Sequence, residues 1–365
     1  MKKNELFKII TSFLFKNIFF IKFFIFICSL IFIITNKTKK KIGVVSIYYD
    51  NNVGNILLKF SMYIKLKELG FDPTIIALHT ERKFYFLKKY FKFKVFKNNY
   101  LELKEKDYDI NSDQTWNGDP KFFDEILNVG FLKFSENWKI PRFVYGASLG
   151  VDYWKFPEQF DIIARRLLKK FSGISLREIG AIEIVKNHLG INPEFVLDPT
   201  LIIDKKYYLD LIKDFNIHFN FKEKYLCIYQ LDKNILIEQL IEKAKQLFNY
   251  KLYKIDLFKE KYIENFISCI NNSNAVITDS FHGTLFSIIF EKPFITYLNT
   301  IRGNDRFFSL IKTFNLSQRI IDQENFEKVN INILQAPLYI NQSLLSYLKN
   351  KSINFLKKNL NFTKY

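Results

Sequence analysis

Cysteine and histidine are scarce in this chain, whose 365 residues hold 3 Cys and 4 His beside 12 Gly and 8 Pro. Cys28, Cys227 and Cys269 are scattered with no CxxC or other metal-ligand spacing. An odd, sparse count argues against a disulfide framework and fits a reducing compartment. Neither GxGxxG nor GxxxxGK[ST] occurs, so the common dinucleotide and P-loop fingerprints are absent. Nothing resembles a zinc site, and no metal is expected. There is no internal repeat at fixed period and no long low-complexity linker.

What is abundant is apolar and basic. A hydrophobic content of 48% with regular charged punctuation argues for a folded chain. The length suffices for two domains of ordinary size. The 41 Phe and 20 Tyr, with frequent Lys, Asn and Ile, follow the drift of an AT-rich genome. Aromatic richness is therefore discounted as a sign of base stacking, and no nucleic-acid partner is expected. Lys plus Arg exceeds Asp plus Glu, 55 against 37, for a net charge of +18. Such a balance favours anionic partners, with lysine-rich coding as the competing explanation.

The N-terminal stretch "IFFIKFFIFICSLIFII" (18–34) is apolar except for Lys22. It is slightly short of the roughly 20 residues of a spanning helix, and Lys22 near one end could snorkel. Lysines on both flanks leave orientation undecided. Residues 1–41 are read as a membrane anchor or interfacial helix held against acidic headgroups. A cleaved signal peptide and a buried core helix are the alternatives.

From residue 42 the pattern changes to alternating strands and helices. "KIGVVSIYYD" reads as a buried parallel strand, followed by a turn-rich loop and a helix over "ILLKFSMYIKLKELG" that stops at Gly70. "DPTIIAL", "RFVYGASLG", "GISLRE" and "EFVLDPTLII" read as further strands, the last ending at Asp198-Pro199. A second block opens at "KYLCIYQL" and runs through helix "ILIEQLIEKAKQLF", strand "AVIT", helix "GTLFSIIF" and strand "PFITY". The pattern predicts an α/β protein of two Rossmann-like domains, 42–210 and 211–330, with a cleft between them and a basic amphipathic helix in 331–365.

The densest chemistry is "TDSFHG" (278–283). In open α/β sheets, ligands bind beyond the carboxyl ends of strands. Asp279 or Ser280 can cap the following helix, Gly283 permits close backbone approach, and the helix start attracts anions. His282 adds a group able to move a proton near neutral pH. A capping residue beside a hydrogen-bonded loop histidine is the bland alternative. Arg302 and Arg306, four apart, would share a helix face and offer guanidinium forks to carboxylate or phosphate. Arg177, just after a strand in "SLRE", is a third candidate of that kind.

"TDSFHGTLFSIIFEKPFI", "SDQTWN" (112–117), "SLRE" (175–178), "VLDPTL" (196–201) and "IGVVSIYYDNNVGNILL" together resemble the polysaccharide pyruvyl transferase family, from about residue 42 to about 320. The resemblance implies a GT-B-like arrangement and transfer of pyruvate from phosphoenolpyruvate, a co-substrate rather than a bound cofactor, onto a saccharide as a ketal. It implies that His282 is the general acid or base, and that Arg177 and Arg302, with Arg306 third, hold the donor. It further implies that Asp113, Gln114 and Asn117, with Asn52 and Asn55, face the acceptor. Two departures stand out: Asn111 replaces a usual Gly, and "YDINSDQ" is several residues short, so the strand before Ser112 is expected to be truncated or missing. The added apolar segment is expected to hold the enzyme at the cytoplasmic face of the inner membrane, near a lipid-linked acceptor. Two rival readings remain. One is a GT-B glycosyltransferase using a nucleotide sugar; the other is a degenerate, membrane-attached glycan-assembly protein.

Overall fold

The computed structural model describes residues 40–46, 52–78, 93–96, 104–105, 110–113, 116, 123–213, 223–256, 261–298 and 303–360. The apolar stretch 18–34 lies outside them. Among the described residues no helix is long and apolar enough to cross a membrane. Residues 41–365 form one compact unit.

Among the described residues that unit carries two sheets in which every pairing is parallel. The first has seven strands: β1 (Lys41–Ser46), β2 (Asp72–Leu78), β3 (Phe93–Phe96), β4 (Ile110–Asp113), β5 (Arg142–Ala147), β6 (Gly173–Leu176) and β7 (Glu194–Phe195). Their order is β3-β2-β1-β4-β5-β6-β7. The second has β8 (Tyr225–Tyr229), β9 (Lys251–Lys254), β10 (Ala275–Thr278), β11 (Phe294–Tyr297) and β12 (Ile320–Ile321), in the order β12-β11-β10-β8-β9. Each order reverses once, between β1 and β4 and between β8 and β10. Those reversals are the switch points where α/β folds bind ligands.

The helices are α1 (Val53–Glu68), α2 (Phe123–Gly130), α3 (Glu158–Leu168), α4 (Ile179–Leu189), α5 (Lys206–Ile212), α6 (Ile235–Phe248), α7 (Tyr262–Asn272), α8 (Phe281–Ile289), α9 (Asp305–Phe314) and α10 (Gln342–Leu360). Local chemistry explains several limits. Asn52 caps α1 through Gly54 N–H at 2.9 Å, and Asn234 caps α6 through Leu236 N–H at 2.8 Å, satisfying donors a helix start leaves free. The strand interiors are solidly apolar, as helix-covered parallel strands require; Ala275, Val276, Ile277, Phe294 and Ile295 are all fully buried.

The strand expected to be truncated or missing is present in truncated form. Ile110–Asp113 is short, yet it sits centrally, pairing Ile110 with Ile42 on one side and Ser112 with Phe143 on the other. Tertiary pairing imposes it where local propensity is weak. The "EFVLDPTLII" strand is shorter than expected: β7 has two residues, and Pro199–Leu201 form a 3-10 turn.

One apolar core runs through both sheets. It includes Ile42 and Val44 of β1, Leu57 of α1, Cys227 of β8 and Phe286 of α8. Tyr208 ties the parts together: its hydroxyl bonds Ser61 at 2.6 Å and donates to the Thr200 carbonyl at 2.8 Å. Its ring meets Phe286 edge-on at 4.8 Å. The last helix, α10, returns to the first sheet. Ser352 Oγ accepts from Leu197 N–H at 2.9 Å, and Phe355 packs near Phe143 and Tyr145.

Candidate active site

The second sheet's switch point carries the densest polar chemistry. β10 ends at Thr278, and Ser280 caps α8 by accepting from Gly283 N–H at 3.3 Å. α8 therefore begins at Phe281, two residues before the expected start, which puts His282 in its first turn. The Asp279 carboxylate turns to the neighbouring switch-point loop, accepting from Leu231 N–H at 2.7 Å and Asp232 N–H at 3.0 Å. It fixes the loop after β8 to the end of β10.

His282 meets elements of the first lobe. Its Nε2 lies 4.0 Å from Asp198 Oδ2, and Arg177 Nη1 donates to that same oxygen at 2.9 Å. Asp198 Oδ1 accepts from Thr200 N–H at 2.9 Å and Thr200 Oγ1 at 2.7 Å. β6 ends one residue before Arg177, and β7 three residues before Asp198. Two neighbouring parallel strands thus bring the pair together. All three of Arg177, Asp198 and His282 are buried.

The start of α1 closes the other side of the imidazole. A Cβ built on Gly54 would fall 2.0 Å from His282 Nδ1, so only glycine leaves room for the ring. Asn52 and Asn55 flank that contact. The Asn52 carboxamide oxygen also accepts from Asn55 N–H at 3.4 Å, which gives it a helix-capping task.

The electrostatics follow from this packing. Burial pushes the Asp198 carboxyl up, but Arg177, His282 and the Thr200 donors outweigh burial and hold it below the ordinary carboxylate range. Burial pushes His282 down to about 4; Asp198 opposes this, while Arg177 and Arg306 reinforce it. The imidazole is neutral at pH 7 and equipped to accept a proton. Among the described residues, His282 Nε2 and Arg177 Nε are buried with no hydrogen-bond partner. Unpaired buried polar atoms of this kind are costly and mark a place that a ligand can satisfy.

Arg306 follows the first residue of α9, and its guanidinium lies 5.3 Å from the centre of the Phe281 ring. α9 starts at Asp305, so Arg302 precedes the helix and lies outside the described residues. Gln114 and Asn117 also lie outside them, and Asp113 is the last residue of β4. The structure thus gathers Arg177, Asp279, Ser280, His282, Gly283, Arg306, Asn52 and Asn55 around one switch point. Sequence reasoning missed Asp198 as the carboxylate shared by Arg177 and His282, and Gly54 as the floor under the imidazole. Asp198-Pro199 after an apolar run was the available signal for the first; Gly54 had none.

The string Gly146-Ala147-Ser148-Leu149-Gly150 has the spacing of a nucleophile elbow. Ser148 is nevertheless buried, and its hydroxyl donates to Glu178. That bond, with Glu178 accepting from Leu149 and Gly150 N–H at 3.0 and 3.1 Å, makes the segment a braced loop. Among the described residues, no three His, Cys, Asp or Glu side chains gather as a metal site.

Solved structures share this fold of two parallel α/β sheets. MnaA from S. aureus, in a co-structure with UDP, is 12% identical at a TM-score of 0.57, covering 89% of this chain and 98% of that one. A putative UDP-N-acetylglucosamine 2-epimerase from Listeria monocytogenes is 11% identical at a TM-score of 0.56, covering 89% and 97%. The UDP-GlcNAc 2-epimerase of Neisseria meningitidis, bound to UDP-GlcNAc, is 9% identical at a TM-score of 0.52, covering 88% and 99%. The architecture is α/β and GT-B-like. No curated protein matches the sequence. The family model for polysaccharide pyruvyl transferase matches residues 52–300. The chain belongs to that family: it is a transferase with a saccharide acceptor.

Proposed function

We propose that the protein transfers pyruvate from phosphoenolpyruvate to two hydroxyls of a saccharide, forming a ketal in a surface polysaccharide or its lipid-linked precursor. The reading is carried by one observation: a buried, neutral His282 beside Arg177 and a helix N-terminus, with unpaired Nε2 and Nε atoms between the lobes. Phosphoenolpyruvate brings a phosphate and a carboxylate, which suit guanidinium donors and a helix start. Arg177 and Arg306, with Arg302, are assigned to the donor. Asp279 and Ser280 hold the shape of the anion site, with Gly283 closing its first turn. Asn52, Asn55, Asp113, Gln114 and Asn117 are assigned to the acceptor side.

The reaction balances without a redox partner. One saccharide hydroxyl adds to C2 of the enol as C3 takes a proton and becomes a methyl group. The C2–O bond to phosphate then breaks, a second hydroxyl adds to C2, and its proton leaves with phosphate. His282 is neutral when the site is empty. A bound polyanion raises its proton affinity, so it can take the hydroxyl proton and return it to C3 or to phosphate. Asp198 steadies the imidazolium that forms, while its bond to Arg177 keeps the carboxylate ionised. Residues 18–34 are assigned to hold the chain at the cytoplasmic face of the inner membrane.

Calorimetry on the full chain tests this, with phosphoenolpyruvate and then UDP as ligands, each repeated on His282→Ala. Saturable phosphoenolpyruvate binding, weakened about tenfold or more by His282→Ala, is the expected result. UDP binding alone would overturn it in favour of nucleotide-sugar chemistry, the reading suggested by the UDP-bound structures that share the fold. Binding of neither ligand would favour a glycan-assembly role without donor chemistry.

A further inference from the structure

A second buried carboxyl lies on the seam between the lobes, outside the chemistry described so far. Asp305 opens α9 and faces the start of α4 in the first lobe. The approach is close: a Cβ on Gly180 would fall 2.5 Å from Asp305 Oδ1. Beside it, Ile179 N–H donates across the seam to Ser309 Oγ at 2.9 Å. Asp305 is 7% exposed, and among the described residues its Oδ2 is buried with no hydrogen-bond partner, as is Oδ1 of the adjacent Asn304.

The charges around Asp305 disfavour its ionised form. Glu178, buried at the mouth of α4, and Asp152, on the loop after β5, both add negative potential; Arg306, the next residue on α9, opposes them. Burial is the largest influence, and together these push the carboxyl up to about 6. An ionised, unpaired carboxylate at such a seam is costly, whereas a protonated one is tolerated.

We propose that Asp305 is a positioning residue: the proton on its carboxyl lets α9 seat against α4, and that seat carries Arg306 to the donor site. Arg306 is the connecting element. Its guanidinium lies against Phe281, next to His282, and its charge is felt by both His282 and Asp305. When Asp305 ionises, repulsion from Glu178 and Asp152 loosens the seam and withdraws Arg306. The naming of the ligand rests on the donor assignment made above; the seam itself does not.

The sign follows from linkage. With the lobes apart, Asp305 faces water and titrates near the ordinary value of 3.8, against about 6 in the closed seam. Closure therefore strengthens as pH falls below about 6, by up to tenfold per pH unit, and is flat above it.

Two readouts on the full chain test this. The first needs no ligand: hydrogen exchange of the Ile179 amide, corrected for intrinsic rates. Protection about tenfold higher at pH 5 than at pH 7 is expected in the wild type, and equal protection in Asp305→Asn, whose carboxamide mimics the protonated acid. Equal protection at both pH values in the wild type would overturn the proposal. The second readout is the same exchange at pH 5 under saturating phosphoenolpyruvate. If closure carries Arg306 to the donor, the bound ligand in turn holds the seam closed, and Ile179 protection should rise about tenfold or more. A pH-dependent seam without phosphoenolpyruvate binding would support the latch and overturn the donor assignment. Ile179 protection unchanged by bound phosphoenolpyruvate would overturn the link between seam and site.

Discussion

Two buried aspartates, Asp198 and Asp305, meet opposite fates. Asp198 has Arg177 on one oxygen and two Thr200 donors on the other. Asp305 has a glycine against one oxygen and no hydrogen-bond partner on the other. Burial pushes both carboxyls upward; only the partners of Asp198 reverse the direction. Burial alone therefore does not assign a carboxylate its role. Donors around Asp198 make it a permanent charge that can steady an imidazolium. Their lack around Asp305 makes it a group whose charge depends on pH.

The comparison breaks most sharply at Asp198. Asp198→Ala leaves Arg177 buried without its counter-ion, a kind of loss that costs about 3–5 kcal/mol. Urea unfolding should show this as a lower midpoint, and transfer activity should vanish with it. Asp198→Asn keeps an acceptor for Thr200 but not the charge, so the loss should be smaller. The pH dependence separates the variants. The folded-state value is depressed, so Asp198 contributes stability above the ordinary carboxylate value of 3.8 and loses it as pH falls through the depressed value. The wild type should therefore lose this increment in acid, and Asp198→Asn should not. An unchanged acid profile would show that the Arg177 pair carries no net stability.

Much of the framework was legible because local and tertiary signals agree. The helix Ile235–Phe248 follows an apolar repeat behind an Asn cap, and its limits are those the sequence suggests. The strand Ala275–Thr278 and the position of His282 beyond it were readable for the same reason. β4 was not, since four residues containing an Asn carry no strand signal of their own; pairing with β1 and β5 makes them a strand. Asp198 was opaque differently. Its bond to Arg177 spans 21 residues and exists because β6 and β7 are neighbours. Spacing along a chain cannot show which carboxylate a parallel sheet will place beside an arginine. The expected pairing of Arg302 with Arg306 on one helix face lies outside the described residues at Arg302; α9 starts at Asp305.

A smaller effect is expected at Gly54, on the His282 side. Gly54 lies in the first turn of α1, where intrinsic propensity favours Ala over Gly by up to about 1 kcal/mol. Packing opposes that gain, because the new methyl would fall 2.0 Å from His282 Nδ1. Overpacking of this kind costs about 1–3 kcal/mol, so Gly54→Ala should be destabilised. Its activity should fall about tenfold or more, because a displaced ring misplaces the proton transfer. The double variant with His282→Ala should recover the lost stability and not the activity. Recovery of neither would place the strain elsewhere in α1.

The smallest effect belongs to Asp305, and it should appear as a gain. The unfolded carboxyl titrates near 3.8 and the folded one near 6. The folded state therefore holds its proton more tightly, and this contribution to stability is lost as pH rises across that interval. At pH 7 the wild type carries an unpaired buried charge that Asp305→Asn lacks. The variant should melt higher there, with the difference shrinking toward pH 4.5. A variant that melts lower at both pH values would mean that the ionised carboxylate has a stabilising partner. Asp305 would then belong with Asp198 as a structural charge, and the contrast between the two aspartates would disappear.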